Sequence, residues 1–246
     1  MSSDVRVIFA GTGDAFGNGG RLQTCFVLEG GADRLMIDCG ASSLTAVKAA
    51  GVEPNEVETV LLTHLHGDHF GGLPFMILDG QFRRRERPLT IAGPPGTGER
   101  LDRAMDVLFP GSREGRRRFE VAVVEIEPGA PTTVGPAVVR TIAVEQPGTP
   151  ACALRVDFHG RTVAYTGDTA WTDELGGLAE GADLLVAEAY FFDRTVPFHL
   201  DYATLRAHRD ELTCRRVVLT HMGPDMLARQ SESDFECARD GLVLTL

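Results

Sequence analysis

The sequence predicts an α/β fold in which two mixed β-sheets pack face to face and helices cover their outer sides. Two β-rich stretches, each followed by segments of helical period, are what a two-sheet sandwich with outer helices needs. Short apolar runs at residues 60–62 and 217–219 have the length and composition of buried parallel strands. A chain of 246 residues that is 43% apolar can also bury a sizeable core, and one domain over residues 1–246 is the expectation.

The elements follow in order. Residues 5–10 open as a strand and run into the glycine turn Gly11-Thr-Gly-Asp14. Without a following Lys-Ser/Thr or a complete G-x-G-x-x-G, that turn is weak evidence for phosphate binding. Residues 15–23, with glycines at 17, 19 and 20, read as a loop able to lie over a cleft. Residues 23–29 and 34–38 form a hairpin about Gly30-Gly31, and a helix starting at Ser42 or Ser43 stops at Gly51. After the strand at 60–62, a helix is expected over 70–82, a strand over 88–92 and a helix over 96–108 that Pro110 ends. Residues 119–126, 132–134, 137–144, 151–158 and 162–165 read as a run of antiparallel strands with turns at Gly135-Pro136 and His159-Gly160. Helices at 173–178 and 202–212 then alternate with strands at 184–187 and 217–220, before a last strand at 242–246.

The stretch that carries chemistry is residues 57–72, where the apolar run ends in His64, His66, Asp68 and His69. His64 and His66 lie two apart and point the same way from an extended backbone, while Gly67 permits the turn that brings Asp68 and His69 to the start of a helix. Two imidazoles thus serve one metal ion, and a carboxylate with a third imidazole serves another close by. A lone histidine is more often a satisfied structural residue, but three with an aspartate directly after an apolar strand reverse that judgement.

Thr63-His-Leu-His-Gly-Asp-His69 resembles the His-x-His-x-Asp-His signature of the metallo-β-lactamase superfamily, whose αββα sandwich is similar to the fold predicted here. The resemblance implies a dinuclear metal site. Asp168, in Tyr165-Thr-Gly-Asp168-Thr169, is similar to the aspartate that bridges both ions, and His221 matches the last ligand, on the second ion with Asp68 and His69. The family's third histidine on the first ion, in a Val-x-His setting, has no counterpart in Ala143-Val144-Glu145-Gln146-Pro147. Glu145 is the expected stand-in; the alternative is that Glu145 faces away and the first position is weak or empty. His199 resembles the histidine that ribonuclease Z-like members place beside the scissile phosphate, with Glu188 fixing its tautomer. The implied cofactors are two divalent ions, zinc at both positions or manganese or iron at the Glu145 position, because a carboxylate is a harder ligand than imidazole.

The activity this implies is hydrolysis of a small anionic ester, most plausibly a phosphodiester, with Asp68 orienting the nucleophile and His199 donating to the departing oxygen. Three alternatives stay open: a tRNA 3′-processing nuclease, a hydrolase of another ester class (lactone, thioester or sulfate ester), and a metal-binding protein that has lost turnover. A formal charge of −11 argues against a broad nucleic-acid surface. Two basic clusters, at residues 83–87 and 113–118, are either solvated faces or a rim that attracts an anionic substrate. Five widely spaced cysteines fit reduced thiols in a cytoplasm, and neither a signal segment nor a membrane span is expected. The oligomeric state is open, a homodimer included.

Overall fold

The computed structural model describes residues 4–246 of the chain. Its first sheet begins with three antiparallel strands, β1 (Arg6–Gly11), β2 (Cys25–Gly30) and β3 (Asp33–Ile37). Helix α1 (Ser43–Ala49) then carries the chain to β4 (Thr59–Leu61), which runs parallel to β3. Helices α2 (Gly67–Phe70) and α3 (Leu73–Phe82) lead to β5 (Leu89–Gly93), and α4 (Thr97–Leu108) leads to β6 (Val121–Glu125), both strands again parallel. The second sheet repeats the plan. Antiparallel strands β7 (Thr132–Val134), β8 (Ala137–Val144), β9 (Ala151–Phe158) and β10 (Arg161–Tyr165) come first. Helix α5 (Glu174–Ala179), β11 (Leu184–Glu188), α6 (Tyr202–Ala207), β12 (Val217–Thr220), α7 (Pro224–Ala228) and the two-residue β13 (Glu236–Cys237) follow, with β11 to β13 parallel. The chain finally returns to the first sheet, where β14 (Leu242–Thr245) pairs antiparallel with β1. Each sheet therefore has seven strands, in the orders β14-β1-β2-β3-β4-β5-β6 and β13-β12-β11-β10-β9-β8-β7.

The layering is a consequence of the two-residue period of a strand. Along β1, Val7 and Phe9 face the other sheet while Ile8 and Ala10 face the helices; along β2, Phe26 and Leu28 face inward while Cys25 and Val27 face α1 and its neighbours. Phe9 stacks on Phe26 with ring centroids 5.5 Å apart, and Phe26 meets Tyr165 of the second sheet edge-on at 5.3 Å, so aromatic contact spans the sandwich. A third apolar cluster, including Leu175, Leu178, Leu205 and Tyr202 against Leu185 and Leu219, seats α5 and α6 on the second sheet. The result is four layers, helix, sheet, sheet and helix, as expected.

Three local expectations are corrected. The helix expected over 70–82 is two, broken at Gly71-Gly72, because Gly72 passes so close to the first strand layer that a Cβ there would lie 2.1 Å from the Gly40 carbonyl oxygen. The segment at 119–126 does not join the antiparallel run; β6 lies parallel to β5 at the edge of the first sheet. The helix expected to reach Leu212 ends at Ala207 and continues as a 3-10 turn over Arg209–Glu211.

The first basic cluster is spent on the protein itself. Arg85 is buried and donates to the carbonyls of Pro54, Val57, Arg87 and Pro88, while Arg83 pairs with Glu53. Among the described residues no helix is long and apolar enough to cross a membrane, and all five cysteines are free thiols.

Candidate metal centre

Parallel strands lying side by side end at the same rim, and both sheets bring their carboxyl ends to one place. In the first sheet β3 delivers Asp38 and β4 delivers the turn that starts at Thr63. Asp38 is fully buried in the left-handed conformation (φ 57°), which an aspartate tolerates better than most residues. One carboxylate holds three donors: Thr63 N at 2.8 Å, Thr63 Oγ1 at 2.9 Å and His69 Nδ1 at 2.7 Å. Because a carboxylate only accepts, His69 donates from Nδ1, and Nε2 is the nitrogen it would offer to a metal ion. That nitrogen lies 3.3 Å from Asp68 Oδ2 and 3.3 Å from Asp168 Oδ1.

In the second sheet β10, β11 and β12 end in turn at Asp168, Glu188 and His221. His221, also left-handed (φ 56°), sets Nε2 3.4 Å from Asp168 Oδ2 and 3.9 Å from Asp68 Oδ2. The two rims touch through backbone: Cys152 N donates to Thr63 O at 2.9 Å, and Gly167 lies so near Thr63 that a Cβ there would be 3.0 Å from the threonine Cβ.

Asp68, His69, Asp168 and His221 thus offer ligand atoms within 4.8 Å of one another, from three separate places in the chain. Three buried atoms of this group, His69 Nε2, Asp168 Oδ1 and His221 Nδ1, have no hydrogen-bond partner. Leaving such atoms unpaired in an interior costs about 1–3 kcal/mol each, and two of them, His69 Nε2 and Asp168 Oδ1, lie 3.3 Å apart inside the cluster, which fits a divalent cation. Charge agrees with geometry. Burial alone would raise the carboxyls, but the His69 and His221 contacts hold Asp68 below the usual carboxylate range and Asp168 well below it.

His64 and His66 stand beside this group. His64 Nε2 and His66 Nδ1 face each other at 3.1 Å, close to the spacing of about 3.3 Å between two nitrogens on one tetrahedral zinc ion. The Pro147 carbonyl accepts from His66 Nε2 at 3.0 Å, which leaves Nδ1 as that ring's lone-pair nitrogen. The structure does not bring Glu145, the expected stand-in ligand, to either position. Val144, the last residue of β8, is buried, and in the chain just beyond it Glu145 is exposed and Gln146 is buried. Gln146 donates Nε2 to Asp168 O at 3.0 Å and to Phe198 O at 2.7 Å.

His199 sits at the edge of the cluster, half-buried, with Nδ1 2.5 Å from Glu188 Oε1 and 4.0 Å from Asp168 Oδ2. Glu188 is buried and its other oxygen accepts from Thr169 N and Leu200 N. Burial would lower His199, but its hydrogen bond and charge contact with Glu188 outweigh it and hold the imidazole up at about 9.

A family profile described as a beta-lactamase superfamily domain matches residues 33–222. The chain belongs to the metallo-β-lactamase superfamily, in its ribonuclease Z-like branch. It is similar to "Ribonuclease Z" of Mycobacterium bovis (strain BCG), 33% identical over 195 residues that cover 74% of this chain and 69% of that protein. It is 28% identical to "Ribonuclease Z" of Mycobacterium avium over 257 residues, covering 93% of this chain and 89% of the relative. Among solved structures, human tRNase Z, short form, superposes with a TM-score of 0.80 at 24% identity over 97% of this chain and 98% of that one. The metallo-β-lactamase fold protein YhfI from Bacillus subtilis does so with a TM-score of 0.77 at 23% identity, over 99% and 100%.

As a member of this superfamily the chain is a metal-dependent hydrolase. Two residues of its site are absent from the sequence-based expectations. Asp38, which orients His69, carries the same signal as the ligands, a polar residue closing an apolar strand. Tyr190 lies with its ring 5.3 Å from His199 and 6.0 Å from His221, and no motif marks it.

Proposed function

We propose that the chain hydrolyses phosphodiesters, with Asp68, His69, Asp168 and His221 as the residues that hold a divalent ion, His64 and His66 as a weaker position beside them, and His199 as the acid. The observation that carries this reading is the Glu188–His199 pair set against Asp168, a proton donor beside a cation-binding cluster. Divalent ions bound there, zinc or manganese by the mix of imidazole and carboxylate, supply Lewis acidity that lowers the pKa of an attacking water. Asp68, held ionised by His69 and His221, accepts a hydrogen bond from that water and orients it. Glu188 accepts the hydrogen bond from Nδ1–H of His199, so Nε2 is the nitrogen left to face substrate and give its proton to the departing oxygen.

Small anionic diesters are the proposed substrates. A tight turn at His159-Gly160 joins β9 to β10 and a short loop joins β8 to β9, so no arm projects beside the site to hold a folded RNA. The charge of −11 points the same way. A second reading, 3′ processing of precursor tRNA, is favoured by the ribonuclease Z relatives at 33% identity.

Turnover of bis(p-nitrophenyl) phosphate, set against a precursor tRNA and a panel of lactones and thioesters, separates these. The expected result is cleavage of the diester and loss of about 10²- to 10⁴-fold in His199→Ala with metal content unchanged. Correct, salt-sensitive tRNA cleavage would move the assignment to the second reading. Preference for a lactone or thioester would reject phosphodiester chemistry, while a His199→Ala that cleaves a diester with a poor alkoxide leaving group as fast as wild type would reject His199 as the acid.

A further inference from the structure

We propose that this chain firmly holds a single divalent ion, among Asp68, His69, Asp168 and His221, and that Gln146 has taken the place of a third protein donor at the His64–His66 position. The inference rests on the ligand assignment given above. It starts from the two facing nitrogens of His64 and His66, which make half of a tetrahedral set. Just past the end of β8 the side chain turned inward toward this rim is Gln146, which is 9% exposed. An amide nitrogen has two protons, and Gln146 gives them to two carbonyls, Asp168 O and Phe198 O. Presenting its oxygen to an ion instead would leave those carbonyls without their donor, and a neutral amide oxygen is a poor replacement for imidazole on a zinc-like ion.

No other described group makes up the loss. Glu145 is exposed, and Asp38 already serves Thr63 and His69. Of the histidines outside the cluster, His159 pairs with Asp33, His208 stacks on Trp171, and His199 is held by Glu188. What Gln146 provides is rigidity. It ties the backbone of Asp168 to Phe198, a residue in the left-handed conformation (φ 68°) directly before His199, and so fixes the ligand loop and the acid's turn relative to each other.

The test is metal stoichiometry of the full chain after loading with excess Zn²⁺ and desalting, read by plasma mass spectrometry and native mass spectrometry. Wild type should retain about one ion and Gln146→His about two, since the histidine restores a nitrogen donor on the same backbone position. Gln146→Ala should stay at about one with a lower melting temperature, because a strap is lost and a ligand is not. His66→Ala should leave the single ion of the wild type in place, and this variant decides the matter if Gln146→His does not fold. Two tightly held ions in wild type, loss of the ion in His66→Ala, or a natively folded Gln146→His that remains at one would overturn the proposal. His69→Ala that keeps its ion would instead reject the ligand assignment beneath it.

Discussion

Replacing Asp38 by Asn changes one atom type in a buried carboxyl and should disarm a ligand it never contacts through metal. The carboxylate accepts from Thr63 N, Thr63 Oγ1 and His69 Nδ1 at 2.7–2.9 Å. An asparagine can keep the Thr63 pair on its oxygen, but its amide nitrogen then faces His69 and donates. His69 Nδ1 becomes the acceptor, its proton moves to Nε2, and the lone pair aimed at Asp68 and Asp168 is lost. Losing the partner that sets a ligating histidine's tautomer costs about 10–100-fold in metal affinity, or about 1.4–2.7 kcal/mol. Stability falls too. Charge-assisted hydrogen bonds are roughly twice as strong as neutral ones, so neutralising three of them at full burial costs about 2–4 kcal/mol of a total near 5–15. For a chain of this size that is a melting-temperature drop of roughly 5–15 °C. Competition with a zinc-binding chromophore gives the affinity, and calorimetry of the metal-free protein gives the stability. An Asp38→Asn protein that binds zinc as tightly as wild type would refute the tautomer argument, whatever its melting temperature.

Other consequences are as direct. His199 is held at about 9 through Glu188, so in Glu188→Gln it should lose its proton nearer the ordinary 6.5. As pH rises the acid then fails earlier; activity at pH 8 should drop about thirtyfold relative to pH 6, and an unmoved alkaline limb would show that His199 is not the acid. Arg85→Met removes a buried guanidinium from four carbonyl acceptors and should cost about 3–5 kcal/mol in urea unfolding while leaving turnover per folded molecule intact. A loss below about 1 kcal/mol would mean water replaces it. Gly40→Ala would place a Cβ 1.9 Å from Asp68 O, so it should shift the Asp68–His69 turn and lower metal content; full retention would show that this backbone has slack.

What could be read ahead of the structure was whatever announces itself locally. Each proposed ligand except those in the His64–His69 turn closes an apolar strand, and even that turn follows one, so a polar residue at the end of a buried run was a sufficient signal. Glu145 shows where chemical preference misled: a carboxylate looked the better ligand than an amide, yet the inward parity of Ala137, Val139 and Thr141 slips at Ile142-Ala143, and past the end of β8 it is Gln146 that turns inward while Glu145 faces solvent. Asp38 carries the strand-end signal too, but its role as the partner of His69 rather than a ligand depends on β3 and β4 lying parallel, which no local pattern encodes. The break at Gly71-Gly72 is likewise set by a distant backbone, that of Gly40. The antiparallel reading of β6 failed because a half-exposed edge strand alternates in the same way whichever sheet receives it.

The return of β14 to the edge of β1 has a consequence for synthesis. Residues 6–11 leave the ribosome long before Leu242–Thr245, the strand that covers them, so while the intervening chain is made β1 offers an unpaired row of backbone groups. A shorter interval separates His64 and Asp68 from His221. A nascent chain therefore has neither a sealed first sheet nor a competent cation site until residues 221–245 are free, and this is the window in which a chaperone that shields open strand edges would be of most use.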